Sequence, residues 1–145
     1  MNLKHYLIQF LIMIVVGVLF NPMNALAYRI NDLYLSATLF YGGILMASNM
    51  VWAHEIIHYL SMGHFNIKIF SIGILISILT TVLLLRNQLF VDDKQWLRRM
   101  ISHHSTALTT SHLIHDTTEN SDVKQLASDI IETQEREILL MKSMI

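Results

Sequence analysis

The chain has 145 residues, of which 53% are hydrophobic and 14% charged, and its formal net charge is -1. A mean hydropathy of +0.46 is too apolar for an ordinary soluble domain of this size, so a membrane protein is the first expectation. The near-zero charge, with no polybasic run, removes the electrostatic basis of nucleic-acid binding, and the lack of Cys removes disulfides and thiolate metal sites.

The first apolar segment, Leu7 to Phe20, stands behind Lys4 and is closed by Asn21-Pro22, where a helix loses its next hydrogen bond. Extended to Leu3 it gives a span over about residues 3–21. The same stretch also fits a secretory signal peptide, because an apolar core precedes Ala25-Leu26-Ala27, so residues 1–27 carry two readings.

Residues 33–53 hold no charge over 21 positions, enough at 1.5 Å per residue to cross a hydrocarbon core of roughly 30 Å. Tyr34 and Trp52 sit near its ends, where amphipathic rings favour the interface, with Tyr41 between them. Gly42-Gly43 offers a place for close helix approach. The third apolar segment, Ile69 to Leu85, lies between Lys68 and Arg86 and gives a span over about residues 67–86. Orientation is not decided by positive residues, since Lys4 and Lys68 fall on one side and Arg29 and Arg86 on the other. With Lys4 inside, the tail lies outside the cytoplasm in both readings of the first segment.

Between the second and third segments lies HEIIHYLSMGH, residues 54–64. In H-E-x-x-H the two imidazoles share a helix face and can chelate one Zn²⁺, while the Glu can deprotonate a metal-bound water. His54, His58 and Glu55 have that spacing, and His64 falls six residues after His58, where H-E-x-x-H-x-x-G-x-x-H zincins have their third ligand. The bend position of that longer motif is Ser61, however, with Gly63 displaced by two, and a continuous helix sends His64 about 120° away from His58. Intramembrane zinc proteases add an acidic ligand on a later span, and Ile69 to Leu85 has none. The plainer reading is a polar helix end at the interface.

From Asp92 the apolar residues recur at helical spacing. Asp92 with Gln95 supplies a capping-box start for a helix to about His115; residues 116–121 (DTTENS) form a turn. Ser121 then caps a second helix with Val123, Leu126, Ile130, Gln134, Glu137 or Ile138, and Met141 on its stripe. Residues 1–90 therefore read as a transmembrane region and residues 91–145 as an antiparallel helical hairpin. The hairpin is too small to be comfortable alone, so a second copy is expected to complete a four-helix bundle.

The first helix of the tail carries Met100, His103, His104, His112 and His115. Helical geometry puts His104 and His115 within about 20° of each other, with His112 on a neighbouring stripe and Met100 one turn before the pair. Imidazole with thioether suits copper. The pattern W-x-x-x-M-I-S-H-H-x-x-A (Trp96 to Ala107), followed by Asp122, Leu126-Ala127, Ile130-Ile131, Gln134, Glu137-Ile138 and Met141, resembles the domain of unknown function 305 family. Ser102 replaces a proline usual in that family, and Thr110 stands where a Met is common. The resemblance implies a ferritin-like helical domain behind membrane segments, linked to copper handling, with His103 and His104 as ligands and Met100 and Met141 as soft partners. It gives no support to catalysis. His112 and His115 could substitute for the missing thioether, and Gly63-His64 resembles a pair found after the second span of short relatives.

The expectation is an all-α membrane protein with two to three transmembrane helices and a C-terminal hairpin that pairs as a homo-oligomer. Its expected role is binding or handling of a transition metal, copper first, in contact with membrane lipid, at a bacterial inner membrane. The alternatives are a zinc metalloprotease built on His54, Glu55 and His58 with His64, and a noncatalytic docking module.

Overall fold

The computed structural model describes residues 3–145, with side chains from Lys4 onward. Every regular element among the described residues is helical: α1 (Leu3–Leu19), α2 (Pro22–Ala25), a 3-10 turn (Ile30–Asp32), α3 (Ala37–Met62), α4 (Ile67–Leu79) running into a π-helical turn (Thr80–Arg86), α5 (Asp93–Thr117) and α6 (Ser121–Lys142). They group into two compact units, one of α1 with Ala37–Val91, the other of Phe20–Ser36 with Asp92–Ile145.

In the first unit α3 is central and packs on both α1 and α4. Its buried residues Leu39, Gly43, Ala47, Val51 and Glu55 recur every four positions, the stripe expected of a helix that buries one face. A Cβ on Gly43 would stand 2.9 Å from the Ile14 carbonyl oxygen and 2.9 Å from Val18 Cγ2, so glycine is what lets α1 approach this closely. Gly42, its neighbour, meets nothing within 4 Å. On the other side Ser77 Oγ lies 2.9 Å from both Ser48 Oγ and Asn49 Oδ1, a polar contact that ties α4 to α3. Two stretches are long and apolar enough to cross a membrane, Lys4–Ala25 and Ile67–Arg86, with mean hydropathies of 2.0 and 2.3. The central helix, which the sequence marks as the clearest span, does not reach that level, because Thr, Ser, Asn, Gly and His interrupt its apolar residues. It also begins at Ala37, four residues after the uncharged run starts, and continues through the H-E-x-x-H motif to Met62.

The second unit is built around the α5–α6 hairpin. Asp92 caps α5 by accepting from the Gln95 N–H at 2.7 Å, as its capping-box spacing predicts. The cap of α6 is Asn120 and not Ser121; its side chain accepts from the N–H groups of Asp122 and Val123. Leu97, Ile101 and Leu108 from α5 close on Ile138 and Met141 from α6. Burial of each such side chain contributes about 1.5–3 kcal/mol. The buried stripe of α6 passes through Ala127 and leaves Leu126 59% exposed, the reverse of the sequence expectation.

Residues 20–36, which the sequence reading placed with the transmembrane region, belong to this unit. The Ser105 hydroxyl accepts from the Tyr28 N–H (2.9 Å) and donates to Asp32 Oδ2 (2.8 Å). Ser102 donates to the Asp32 carbonyl at 2.8 Å and accepts from the Tyr34 N–H at 3.2 Å. Asp32 is wholly buried, and Lys142 Nζ closes on its Oδ1 at 2.5 Å. A carboxylate out of water needs such compensation.

Candidate functional site

In the hairpin, α5 presents Met100 and His104 one turn apart, antiparallel α6 presents Glu137 and Met141 one turn apart, and Met144 follows in the turn past the end of α6. These five side chains line one cleft of about 290 Å³, with Trp96, Leu97 and Leu140 completing an otherwise apolar wall. Three thioethers and one imidazole around a small cavity form a soft donor set.

His104 is the polar centre of this cleft. Its side chain is 13% exposed, and Nδ1 lies 3.1 Å from Glu137 Oε2 but out of line for a hydrogen bond, so that buried nitrogen has no hydrogen-bond partner. Burial pushes the His104 imidazole below its ordinary value; Glu137 opposes this and the neighbouring His103 reinforces it. The neutral form, which ligates metals, is the favoured one.

The other tail histidines do not join it. His103 is exposed, its ring 5.8 Å from that of His104, and does not line the cleft. His112 stacks on Tyr28 at 4.7 Å, and His115 Nδ1 lies 3.0 Å from Asp116. His104 and His115 share a stripe in projection, yet eleven residues separate them by about 16 Å along the axis. Among the described residues no group of three or more His, Asp or Glu is arranged to hold a metal ion. The other donors around His104 in the cleft are the Glu137 carboxylate and the three thioethers.

At the end of α3 the H-E-x-x-H motif takes a definite form. Glu55 is 1% exposed, accepts from the Tyr6 hydroxyl through Oε1, and accepts from the Asn66 N–H through Oε2 at 2.9 Å. The carboxylate joins α1 to the start of α4, and both its oxygens are engaged. The ring of His54 is 6.2 Å from that of His58, which is 6.3 Å from that of His64. The three run in file instead of meeting at a point.

A family model described as "Domain of unknown function (DUF305)" matches residues 85–145. An uncharacterized protein of Acanthamoeba polyphaga mimivirus is 36% identical over 146 residues, covering 100% of this chain and 93% of the relative. The chain belongs to the DUF305 family. No solved structure matches it.

In this DUF305 protein three of the four residues that the resemblance implies as ligands, Met100, His104 and Met141, line the cleft, and His103 does not. Met144 lies in the turn after α6, outside the helical pattern that marks Met141. Glu137 belongs to the helical pattern and to the resemblance, but its place beside His104 depends on hairpin register. Ser102, the departure from the DUF305 proline, holds residues 32–34 against α5.

Proposed function

We propose that the chain is a membrane-anchored binding protein for a soft transition metal, Cu(I), with Met100, His104, Met141 and Met144 as the ligands. The observation that supports this reading most is the buried Nδ1 of His104, which makes no hydrogen bond, in a cleft walled by three thioethers. Thioether and neutral imidazole donors select Cu(I) over harder ions. Glu137 compensates the charge of a bound cation, and exposed His103 offers it a first contact. The anchor is the first unit, in contact with lipid at a bacterial inner membrane, with the hairpin outside the cytoplasm. Exposed Leu113, Leu126 and Leu139 support pairing of two hairpins into a ferritin-like four-helix bundle. Proteolysis through Glu55 has no part in this reading, in which the carboxylate serves as an acceptor for the Tyr6 hydroxyl and the Asn66 N–H.

The test is competition for Cu(I) between the detergent-purified chain and a chromophoric chelator under anaerobic conditions. His104→Ala/Met141→Leu should lose the bound copper and Glu55→Gln should keep it. Copper retained in the double variant would sink the proposal. Light scattering of the same samples reads the stoichiometry, and a monomer at every concentration removes the bundle from the reading.

A further inference from the structure

The H-E-x-x-H segment is left unused by the hairpin reading, but the turn that follows it has a geometry of its own. α3 stops at Met62, and Gly63 at φ +72 reverses the chain, its N–H donating to the Tyr59 carbonyl at 2.8 Å. A left-handed glycine one residue past the helix is a common way to end it. The bend absent at Ser61 is thus supplied two residues later, and it brings His64 back towards His58.

His58 Nδ1 is 3.0 Å from the His64 carbonyl oxygen, and His64 Nδ1 is 2.9 Å from the Met62 carbonyl oxygen. A carbonyl only accepts, so Nδ1 carries the hydrogen in both bonds, and in the neutral imidazole the Nε2 lone pair is then free. Metal-ligating histidines are held in this way, with one N–H on a backbone carbonyl and the other nitrogen towards the ion. Both rings line the same cleft, of about 540 Å³.

We infer that His58 and His64 are ligands of a second metal site, one that takes a divalent, imidazole-preferring ion of the Zn²⁺ class. His54, one turn back with its ring 6.2 Å from that of His58, does not line this cleft, and water fills the remaining positions. No thioether lines this cleft, which separates it chemically from the hairpin. Glu55 neither ligates nor acts as a base; its buried carboxylate, beside the cleft, makes the cavity favourable for a cation. Lys68 also lines the cleft but is exposed, so its long stem can keep the ammonium in water. Open coordination positions make the ion exchangeable, unlike a closed structural zinc.

Equilibrium dialysis of the full chain in detergent against Zn²⁺ tests the site. The wild type and the hairpin variant His104→Ala/Met141→Leu should bind the ion alike, whereas His58→Ala/His64→Ala should bind it about 100-fold more weakly or not at all. Zinc lost in the hairpin variant and kept in the His58/His64 variant would overturn the site, as would a wild type that binds none. Zinc-edge X-ray absorption of the wild type needs no variant to fold: a nitrogen and oxygen shell with imidazole scattering supports the site, and sulfur in the shell refutes it. Copper binding at the hairpin is read separately, so either site can fail without the other.

Discussion

The two units place histidines in opposite chemical company. At the end of α3, His58 and His64 are steered by backbone carbonyls and stand with a carboxylate, a phenol and an amide; in the hairpin, His104 stands among methionines. Helical spacing alone would rank the first cluster higher, since His54 and His58 follow a known motif. Neighbours, rather than spacing, decide which ion an imidazole suits. The units also differ in how they are held: the first by close approach and a polar contact between helices, the second by an apolar seam and an ion pair whose carboxylate is buried.

That contrast in construction is open to attack, beginning where the effect is largest. Lys142→Ala leaves the buried Asp32 carboxylate without its cation, and should destabilise the hairpin by about 3–5 kcal/mol, read by thermal melting with circular dichroism. Unchanged melting would mean the second unit does not depend on the pair. Gly43→Ala should cost about 1–3 kcal/mol, because its Cβ meets the backbone of α1. The adjacent Gly42→Ala has open space around it and should instead stabilise by about 0.5–1 kcal/mol; equal effects would remove the case for close packing. Ser77→Ala should cost about 0.6 kcal/mol, the usual worth of a polar contact between packed apolar helices.

The smallest effect is a titration. His104 is held below its ordinary value by burial, so the metal-free fold resists its protonation. The stability this group gives is full above about pH 6.5, the usual imidazole value, and is lost as pH falls through the lower folded value. Glu137→Gln removes the opposing charge, and NMR titration of His104 should then show a further downward shift. An upward shift would mean that Glu137 does not stabilise the imidazolium.

Local chemistry was legible in the sequence and distant pairing was not. The Asp92 cap, the hairpin and the place of Met100 one turn before His104 follow from spacing within one or two turns, whereas Met141 as their partner comes from the family resemblance. Leu126 and Ala127 show the limit, because steps of three and four are equally helical and only the partner helix chooses between them. The roles of Asp32, Tyr6 and Ser102 depend on contacts 49 to 110 residues away, and no local pattern announces them. Gly63 was visible as a residue, but that its bend recovers His64 became clear only from its positive φ.

The Asp32–Lys142 pair also sets an order of events during synthesis. The two residues are 110 positions apart, which at about 5–20 residues per second is roughly 5–20 seconds of translation. For that interval Asp32 is already made, with α3 and α4 still emerging behind it, and its cation does not yet exist. The carboxylate must stay hydrated or be sheltered by something else until α6 arrives, so the second unit begins before the inserted helices and can close only after them.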